Sequence, residues 1–118
     1  MDRFLEGRTA LVTGSVQGIG LAIAKALASA GARLALHGLA DAAQVEAASA
    51  EVRAAGAPEV RFFDADMRDV AAIERMMGDL AAWGGPDVLV NNAGVQRTVT
   101  LAEATPEVWD AVISVNLS

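Results

Sequence analysis

Short apolar runs alternate along the chain with longer segments in which apolar residues recur at every third or fourth position. Runs of this length, rich in β-branched and other apolar residues, predict strands, whereas the three- and four-residue spacing predicts one buried face of a helix. The predicted strands cover residues 9–13, 34–36, 60–63 and 88–90. Because strands and helices alternate over short connections, the pattern predicts an α/β fold with a parallel sheet and helices on both faces.

Several helix ends are also marked in the sequence. Asp41, with Gln44 three residues later, predicts a capping box at the start of the second helix. Asp69 is expected to cap the third helix. Thr105 and Pro106 predict a fourth helix, whose apolar period continues to the last residue. Residues 1–118 are therefore expected to form one incomplete domain, the N-terminal part of a longer protein.

The composition argues against several classes of function but does not identify one. A chain of 118 residues that is 53% apolar fits one packed domain, and it has no apolar run of membrane-spanning or signal-peptide length. A net charge of −6 with nine scattered basic residues argues against a nucleic-acid interface. With no cysteine and one histidine, we expect no disulfide, no metal site and a cytoplasmic location.

The segment TGSVQGIG, residues 13–20, connects the first predicted strand to the first predicted helix. Gly14 permits a tight turn, Gly18 lets the backbone approach a ligand closely, and Gly20 allows the helix to pack against the strand. The free amides and dipole of a helix start favour a phosphate or pyrophosphate. A glycine-rich turn without a ligand is the alternative, but its position between a strand and a helix favours binding.

Polar residues also follow the later strands. After the third strand, the carboxylate of Asp66 is placed to accept a hydrogen bond from an adenine amino group, to cap a helix or to stay solvated. After the fourth, Asn91 and Asn92 are suited to pinning the loop beside the first strand or to contacting a ribose, although asparagine-rich turns are common. Asn116 lies within the last predicted helix, where asparagine is a poor helix former, and taken alone it is interpreted as an exposed residue.

Together, these motifs resemble the N-terminal half of the short-chain dehydrogenase/reductase family. The similarity covers essentially the whole chain, and it rests on TGxxxGIG at residues 13–20, Asp66, NNAG at 91–94 and Asn116. The resemblance implies a Rossmann-type, doubly wound sheet that binds NAD or NADP. It also implies hydride transfer between the nicotinamide and a carbonyl or alcohol carbon.

Carried over by position, the resemblance implies roles for individual residues. The pyrophosphate-binding turn would consist of Gly14, Val16, Gly18, Ile19 and Gly20. The adenine would lie at Asp66 and Met67, and a ribose would lie beside Asn92. Asn116 would match the active-site asparagine that positions a catalytic lysine through water.

Within the family, segments 36–39, 65–67, 91–96, 109–113 and 116–118 are similar to the bacterial D-3-hydroxybutyrate dehydrogenases. This similarity implies that Leu39 borders the coenzyme and that Gln96 binds the substrate carboxylate, although a plain loop role is the alternative for Gln96. Arg97 stands where a histidine is often found. The implied small-molecule substrate is a short hydroxy acid or its ketone.

NAD is the expected coenzyme. A 2′-phosphate needs a nearby cation, and neither Gln17 in the turn nor residues 37–39 after the second strand supply an obligate one. Asp41 lies slightly late for the acidic residue that many NAD enzymes use to bind a ribose. His37 is interpreted as a strand-end residue, because the family places no acid or base there.

The family's catalytic tyrosine, the lysine four residues after it and a substrate-orienting serine would all lie after Ser118. The sequence contains no tyrosine, so we expect this polypeptide alone to be inactive. The resemblance also implies that its full-length parent is a homotetramer. Two alternatives stay open. One is another reductase of the family that uses NADPH, such as a 3-oxoacyl-carrier-protein reductase, and the other is a non-catalytic nucleotide-binding module.

Overall fold

The computed structural model describes residues 3–92, and strands alternate with helices throughout this range. The elements are β1 (Thr9–Val12), α1 (Gly18–Ser29), β2 (Arg33–His37), α2 (Ala42–Ala55), β3 (Val60–Phe63), α3 (Val70–Trp83) and β4 (Val88–Val90). All four predicted strands and the first three predicted helices are confirmed, with boundaries that differ by a residue or two. The helix predicted after Thr105 lies outside the described residues.

The four strands form one parallel sheet in the order β3-β2-β1-β4. Strands β2 and β3 extend the sheet on one side of β1, and β4 pairs with the other side. The strand order therefore reverses at β1, which creates the switch point at which ligands of open α/β sheets bind. A ligand site is therefore expected at the carboxyl edge of the sheet, around the end of β1.

Both faces of the sheet are covered by helices, as the α/β prediction requires. One apolar cluster joins alternate strand residues to α1 and α2, and includes Val12, Leu34, Leu36, Ala24, Ala28 and Val52. A second cluster joins the intervening strand residues to α3, and includes Leu11, Ala35, Phe63, Met76 and Leu80. Neighbouring residues of β1 and β2 thus point to opposite cores, which explains why residues 10–12 and 34–36 are all apolar.

Aspartates cap the second and third helices, but the predicted capping box is only half formed. The Asp41 carboxylate accepts the backbone N–H of Gln44 at 2.8 Å, and that of Asp69 accepts the N–H groups of Ala71 and Ala72. The complete box requires the Gln44 side chain to return to Asp41. Instead, its amide donates to Oε1 of Gln17, the N-cap residue of α1, at 3.0 Å.

Within residues 3–92, no helix is both long and apolar enough to cross a membrane. The same part of the chain brings no three histidine or carboxylate side chains together as metal ligands.

Candidate coenzyme-binding site

Helix α1 begins directly after the turn that follows β1, and its first N–H groups have no side-chain cap. Its N-cap residue, Gln17, is extended and makes no capping hydrogen bond, and the first turn contains no acidic residue. The first N–H groups of a helix lack intrahelical partners and carry a partial positive charge. Among the three described helices, α1 alone leaves these donors without a side-chain cap, at the edge of the sheet where ligands bind.

The glycines of the turn are required by the geometry. Gly14 and Gly18 have φ values of 61° and 60°, in the left-handed region that favours glycine. A Cβ on Gly20 would lie 2.0 Å from the carbonyl oxygen of Gly14, so only glycine lets the helix approach the turn. Gly18 is exposed, and a Cβ there would meet nothing within 4 Å. The turn is therefore closely packed on its inner side and open on its outer side.

Apolar side chains around the turn divide between the core and the surface. Val16 is buried and packs beneath Gly38, where an added Cβ would come within 3.1 Å of Val16 Cγ2. Ile19 and Leu39 are 74% and 64% exposed. Large exposed apolar side chains beside an open helix start are suited to the flat faces of a ligand that also carries an anionic group.

The loop after β4 is fastened to the turn after β1. The Asn92 backbone N–H donates to Oγ1 of Thr13 at 2.8 Å, and its side-chain amide donates to the carbonyl oxygen of Gly14 at 3.2 Å. The Thr13 hydroxyl lies 3.2 Å from Oδ1 of Asn91. These bonds show the pinning that was one of the two interpretations of the paired asparagines, and they hold the switch point together.

His37 and Ser15 form a buried polar pair that the sequence analysis missed. His37 ends β2, as predicted, and it is only 3% exposed. Its Nδ1 accepts the N–H of Gly14 at 3.0 Å, and its Nε2 lies 2.7 Å from the carbonyl oxygen of Ala65. Its backbone N–H donates to the Ser15 hydroxyl at 2.9 Å. The available sequence signal was one polar aromatic residue directly after the apolar run of residues 34–36.

Asp66 is paired with Arg68 on the loop after β3. The Arg68 backbone N–H and Nε donate to Oδ1, and Nη2 donates to Oδ2 at 2.9 Å. Chiefly through its side-chain hydrogen bond, Arg68 lowers the pKa of Asp66 to about 2, and the pairing raises the pKa of Arg68. Asp66 does not cap α3, since Asp69 does so. Met67, beside it, is half-buried.

The structure thus brings most of the predicted site residues to one edge of the sheet. The glycine turn, Leu39, the Asp66–Met67 pair and Asn92 all follow the carboxyl ends of parallel strands. Gln96 and Asn116, the predicted substrate and active-site residues, lie outside the described residues.

Comparison with known proteins shows that this chain is similar to short-chain dehydrogenases. The sequence profile of the short chain dehydrogenase family matches residues 8–118. The D-beta-hydroxybutyrate dehydrogenase of Cupriavidus necator is 49% identical over 97% of this chain and 44% of its own length. The D-beta-hydroxybutyrate dehydrogenase of Rhizobium meliloti is 43% identical over 94% of this chain and 43% of its own length. The chain thus spans less than half the length of these relatives.

Solved structures agree with the sequence comparison. A short-chain dehydrogenase from Burkholderia cenocepacia in complex with NADP is 39% identical, with a TM-score of 0.70 over 92% of this chain and 44% of that one. An NADH-dependent reductase complexed with NAD is 34% identical, with a TM-score of 0.72 over 95% of this chain and 47% of that one. Similar structures therefore include complexes with each nicotinamide coenzyme.

Proposed function

Since this chain belongs to the short-chain dehydrogenase/reductase family, we propose that its protein is an NAD-dependent oxidoreductase acting on a short hydroxy acid. The proposed reaction interconverts 3-hydroxybutyrate and acetoacetate. Residues 1–118 would be the N-terminal part of a single Rossmann domain, in keeping with their share of the relatives' length.

The observation that carries the proposal is the uncapped start of α1 beside the switch point. A dinucleotide has two linked phosphates, which are suited to the free N–H groups and positive dipole end of a helix. The open outer side of Gly18 leaves room for such a group, and the first turn holds no carboxylate that would repel it. The residues present therefore fit a dinucleotide.

Each neighbouring residue has a role in binding the rest of the coenzyme. Gly14, Val16, Gly18, Ile19 and Gly20 would form the turn around the diphosphate. Asp66 would accept the adenine amino group, with Met67 and Leu39 packed around the adenosine and Asn92 beside a ribose. When bound, the nicotinamide ring supplies the hydride chemistry.

The charges near the strand ends support NAD rather than NADP. Residues 13–20 and 37–44 contain no lysine or arginine, and Asp41 contributes a negative charge. A 2′-phosphate at the adenosine ribose would lack a cationic partner there and would be repelled by that carboxylate.

The substrate proposal rests on the two D-beta-hydroxybutyrate dehydrogenases and on residues beyond the described range. Gln96 would bind the substrate carboxylate through its amide. Asn116 would position the catalytic lysine through a water molecule, while a tyrosine elsewhere in the protein exchanges the hydroxyl proton.

Binding and turnover of the protein expressed from its complete gene test the proposal. We expect calorimetry to show tighter binding of NAD than of NADP, and absorbance to show NADH formation with (R)-3-hydroxybutyrate. Activity only with other alcohols would refute the substrate assignment. NADPH-dependent reduction of 3-oxoacyl thioesters would instead support the reductase alternative, and binding without any turnover would support a non-catalytic module.

A single substitution tests the coenzyme choice separately. Leu39→Arg places a cation directly after β2, and a charge-assisted bond of this kind contributes about 1.5–3 kcal/mol. We expect it to increase the ratio of NADP to NAD affinity by at least about tenfold. Ala47→Arg, which adds the same charge to an exposed position of α2, is the control and should leave the ratio unchanged.

A further inference from the structure

We propose that His37 is a positioning residue for coenzyme binding: its neutral ring, protonated on Nε2, fixes the shape of the diphosphate-binding turn. The inference rests on the proposed dinucleotide function of that turn. The inference goes beyond that function because it assigns a tautomer and a structural role to His37. The ring of this residue hydrogen-bonds only to backbone atoms, those of Gly14 and Ala65.

The tautomer follows from the two ring contacts. The partner of Nδ1 is the backbone N–H of Gly14, a donor, so Nδ1 must carry no proton. The partner of Nε2 is the carbonyl oxygen of Ala65, an acceptor, so Nε2 must carry one. A doubly protonated ring would direct a second N–H group at the Gly14 amide and break the first bond.

His37 and Asn92 hold the two peptide groups on either side of the Gly14 Cα. While His37 accepts the N–H of Gly14, Asn92 donates to the carbonyl oxygen of Gly14, and Gly20 packs against that same oxygen. The N–H belongs to the Thr13–Gly14 peptide and the carbonyl to the Gly14–Ser15 peptide, so rotating either group would break one of these hydrogen bonds. The fixed orientation of both groups sets the direction in which the chain enters residues 16–19, whose amides are proposed to meet the diphosphate.

Ser15 adds a second connection between the turn and the same strand end. Its backbone N–H donates to the carbonyl oxygen of His37 at 2.8 Å, and its hydroxyl accepts the His37 N–H. Ser15 is fully buried and His37 nearly so. Water therefore does not readily replace a lost bond, and removing one partner leaves an unsatisfied buried group.

His37 also couples the two ends of the proposed coenzyme site. Ala65, whose carbonyl accepts from Nε2, directly precedes Asp66, the proposed adenine partner. One ring thus links the turn after β1, the end of β2 and the loop after β3. Loss of its bond to Gly14 is expected to weaken binding of the whole coenzyme rather than to slow hydride transfer once the coenzyme is bound.

Three substitutions separate the two ring bonds. His37→Asn keeps an acceptor at the δ position, His37→Gln keeps a donor at the ε position, and His37→Phe keeps neither. In the protein expressed from its complete gene, we expect the Kd for NAD to stay within about threefold for His37→Asn. It should rise at least about tenfold for His37→Gln and His37→Phe, the loss expected for one buried hydrogen bond. At saturating NAD, kcat should stay within about twofold.

A destabilised core variant controls for loss of stability alone. Val52→Ala removes two methyl groups from a fully buried residue of α2 and should lower the unfolding free energy. It should leave the Kd for NAD unchanged. Equal Kd values for the wild type, His37→Gln and His37→Phe would overturn the inference while leaving the proposed function intact. Absence of NAD binding by the wild type would overturn both.

The wild-type protein gives a second test, in which the protonation of the ring is observed directly. Residues 1–118 contain a single histidine, so all imidazole nitrogen resonances from this part of the protein come from one ring. Nitrogen NMR, with the His37→Asn spectrum to assign the ring, should show an unprotonated Nδ1 and a protonated Nε2. A ring protonated on Nδ1, or on both nitrogens, in the coenzyme-binding state would contradict the proposal.

Discussion

Buried polar side chains are concentrated where β1 and β2 end. Thr13, Ser15 and His37 are each at most 3% exposed, and all three have hydrogen-bond partners. The sequence predicted the glycines of the turn, because a strand, a turn and a helix follow one another locally. It did not predict the hydrogen bonds that hold the turn, since the partners of Gly14 lie 23 and 78 positions away.

Gly20 is the residue at which the turn tolerates least change. In Gly20→Ala, the new Cβ would overlap the Gly14 carbonyl oxygen, so the turn or the helix must shift. We expect a loss of roughly 1–3 kcal/mol in unfolding free energy, the usual cost of overpacking, and at least about tenfold weaker NAD binding. Chemical denaturation and calorimetry measure the two effects.

Gly78→Ala is the matched control for that substitution. Gly78 lies within α3, and an added Cβ there would contact nothing within 4 Å. Alanine should stabilise the helix by about 0.5–1 kcal/mol and leave NAD binding unchanged. Similar effects of both substitutions on NAD binding would contradict the close-packing argument.

Arg68 determines the titration of Asp66. Asp66 has a lowered pKa of about 2, so it remains a carboxylate, able to accept the adenine amino group, as the pH falls well below 3.8. Because the folded-state pKa is lowered, the associated stability is present above pH 3.8 and is lost as the pH falls towards 2. Arg68→Ala should return the pKa of Asp66 towards 3.8, as measured by NMR of its carboxyl carbon. Arg75→Ala, at an exposed arginine of α3, should leave it unchanged.

At the level of whole elements, the three described helices differ in how they begin. Aspartate carboxylates satisfy the first N–H groups of α2 and α3, whereas α1 has no side-chain cap. The uncapped helix is the one whose start lies at the switch point, so its unsatisfied donors are available to a ligand. Helix α1 therefore lacks the stabilisation that a side-chain cap would provide.

Adding a cap to α1 should therefore affect stability and binding in opposite directions. Gln17 is already extended, as an N-cap residue should be. We expect Gln17→Asp to stabilise the fold by about 0.5–1 kcal/mol, because its carboxylate accepts the free N–H groups. The same carboxylate would compete with the diphosphate and repel it, weakening NAD binding by at least about tenfold.

The neutral variant Gln17→Asn separates the effect of charge from the effect of capping. It should stabilise the helix similarly and weaken NAD binding less than Gln17→Asp does. Thermal unfolding and calorimetry provide the comparison. Unchanged NAD affinity in the aspartate variant would show that this helix start does not bind the coenzyme.

The elements themselves were largely predictable from the sequence, because apolar periodicity and local capping residues fix where they lie. The predicted capping box was wrong in part for a non-local reason. Gln44 bonds to Gln17, 27 positions earlier, and this partner becomes available only once α1 and α2 pack side by side.

At the level of the whole molecule, the site is assembled by strand order rather than by any one segment. The order β3-β2-β1-β4 brings the ends of β1, β2, β3 and β4 to one edge, and four separate loops supply the proposed coenzyme residues. Apolar periodicity predicted a parallel sheet but gave no strand order, which depends on contacts distant in sequence.

The net charge of −6 opposes the binding of an anionic ligand, so the local backbone amides must provide the attraction.

The central claim is that the start of α1 seats the diphosphate of NAD. An NMR titration of the ¹⁵N-labelled protein, expressed from its complete gene, tests this most directly by following backbone amides as NAD is added. The account predicts large shifts at Val16, Gln17, Gly18 and Ile19, with none at the exposed end of α3 around Asp79. Saturating NAD that leaves the amides of residues 16–19 unmoved would contradict it.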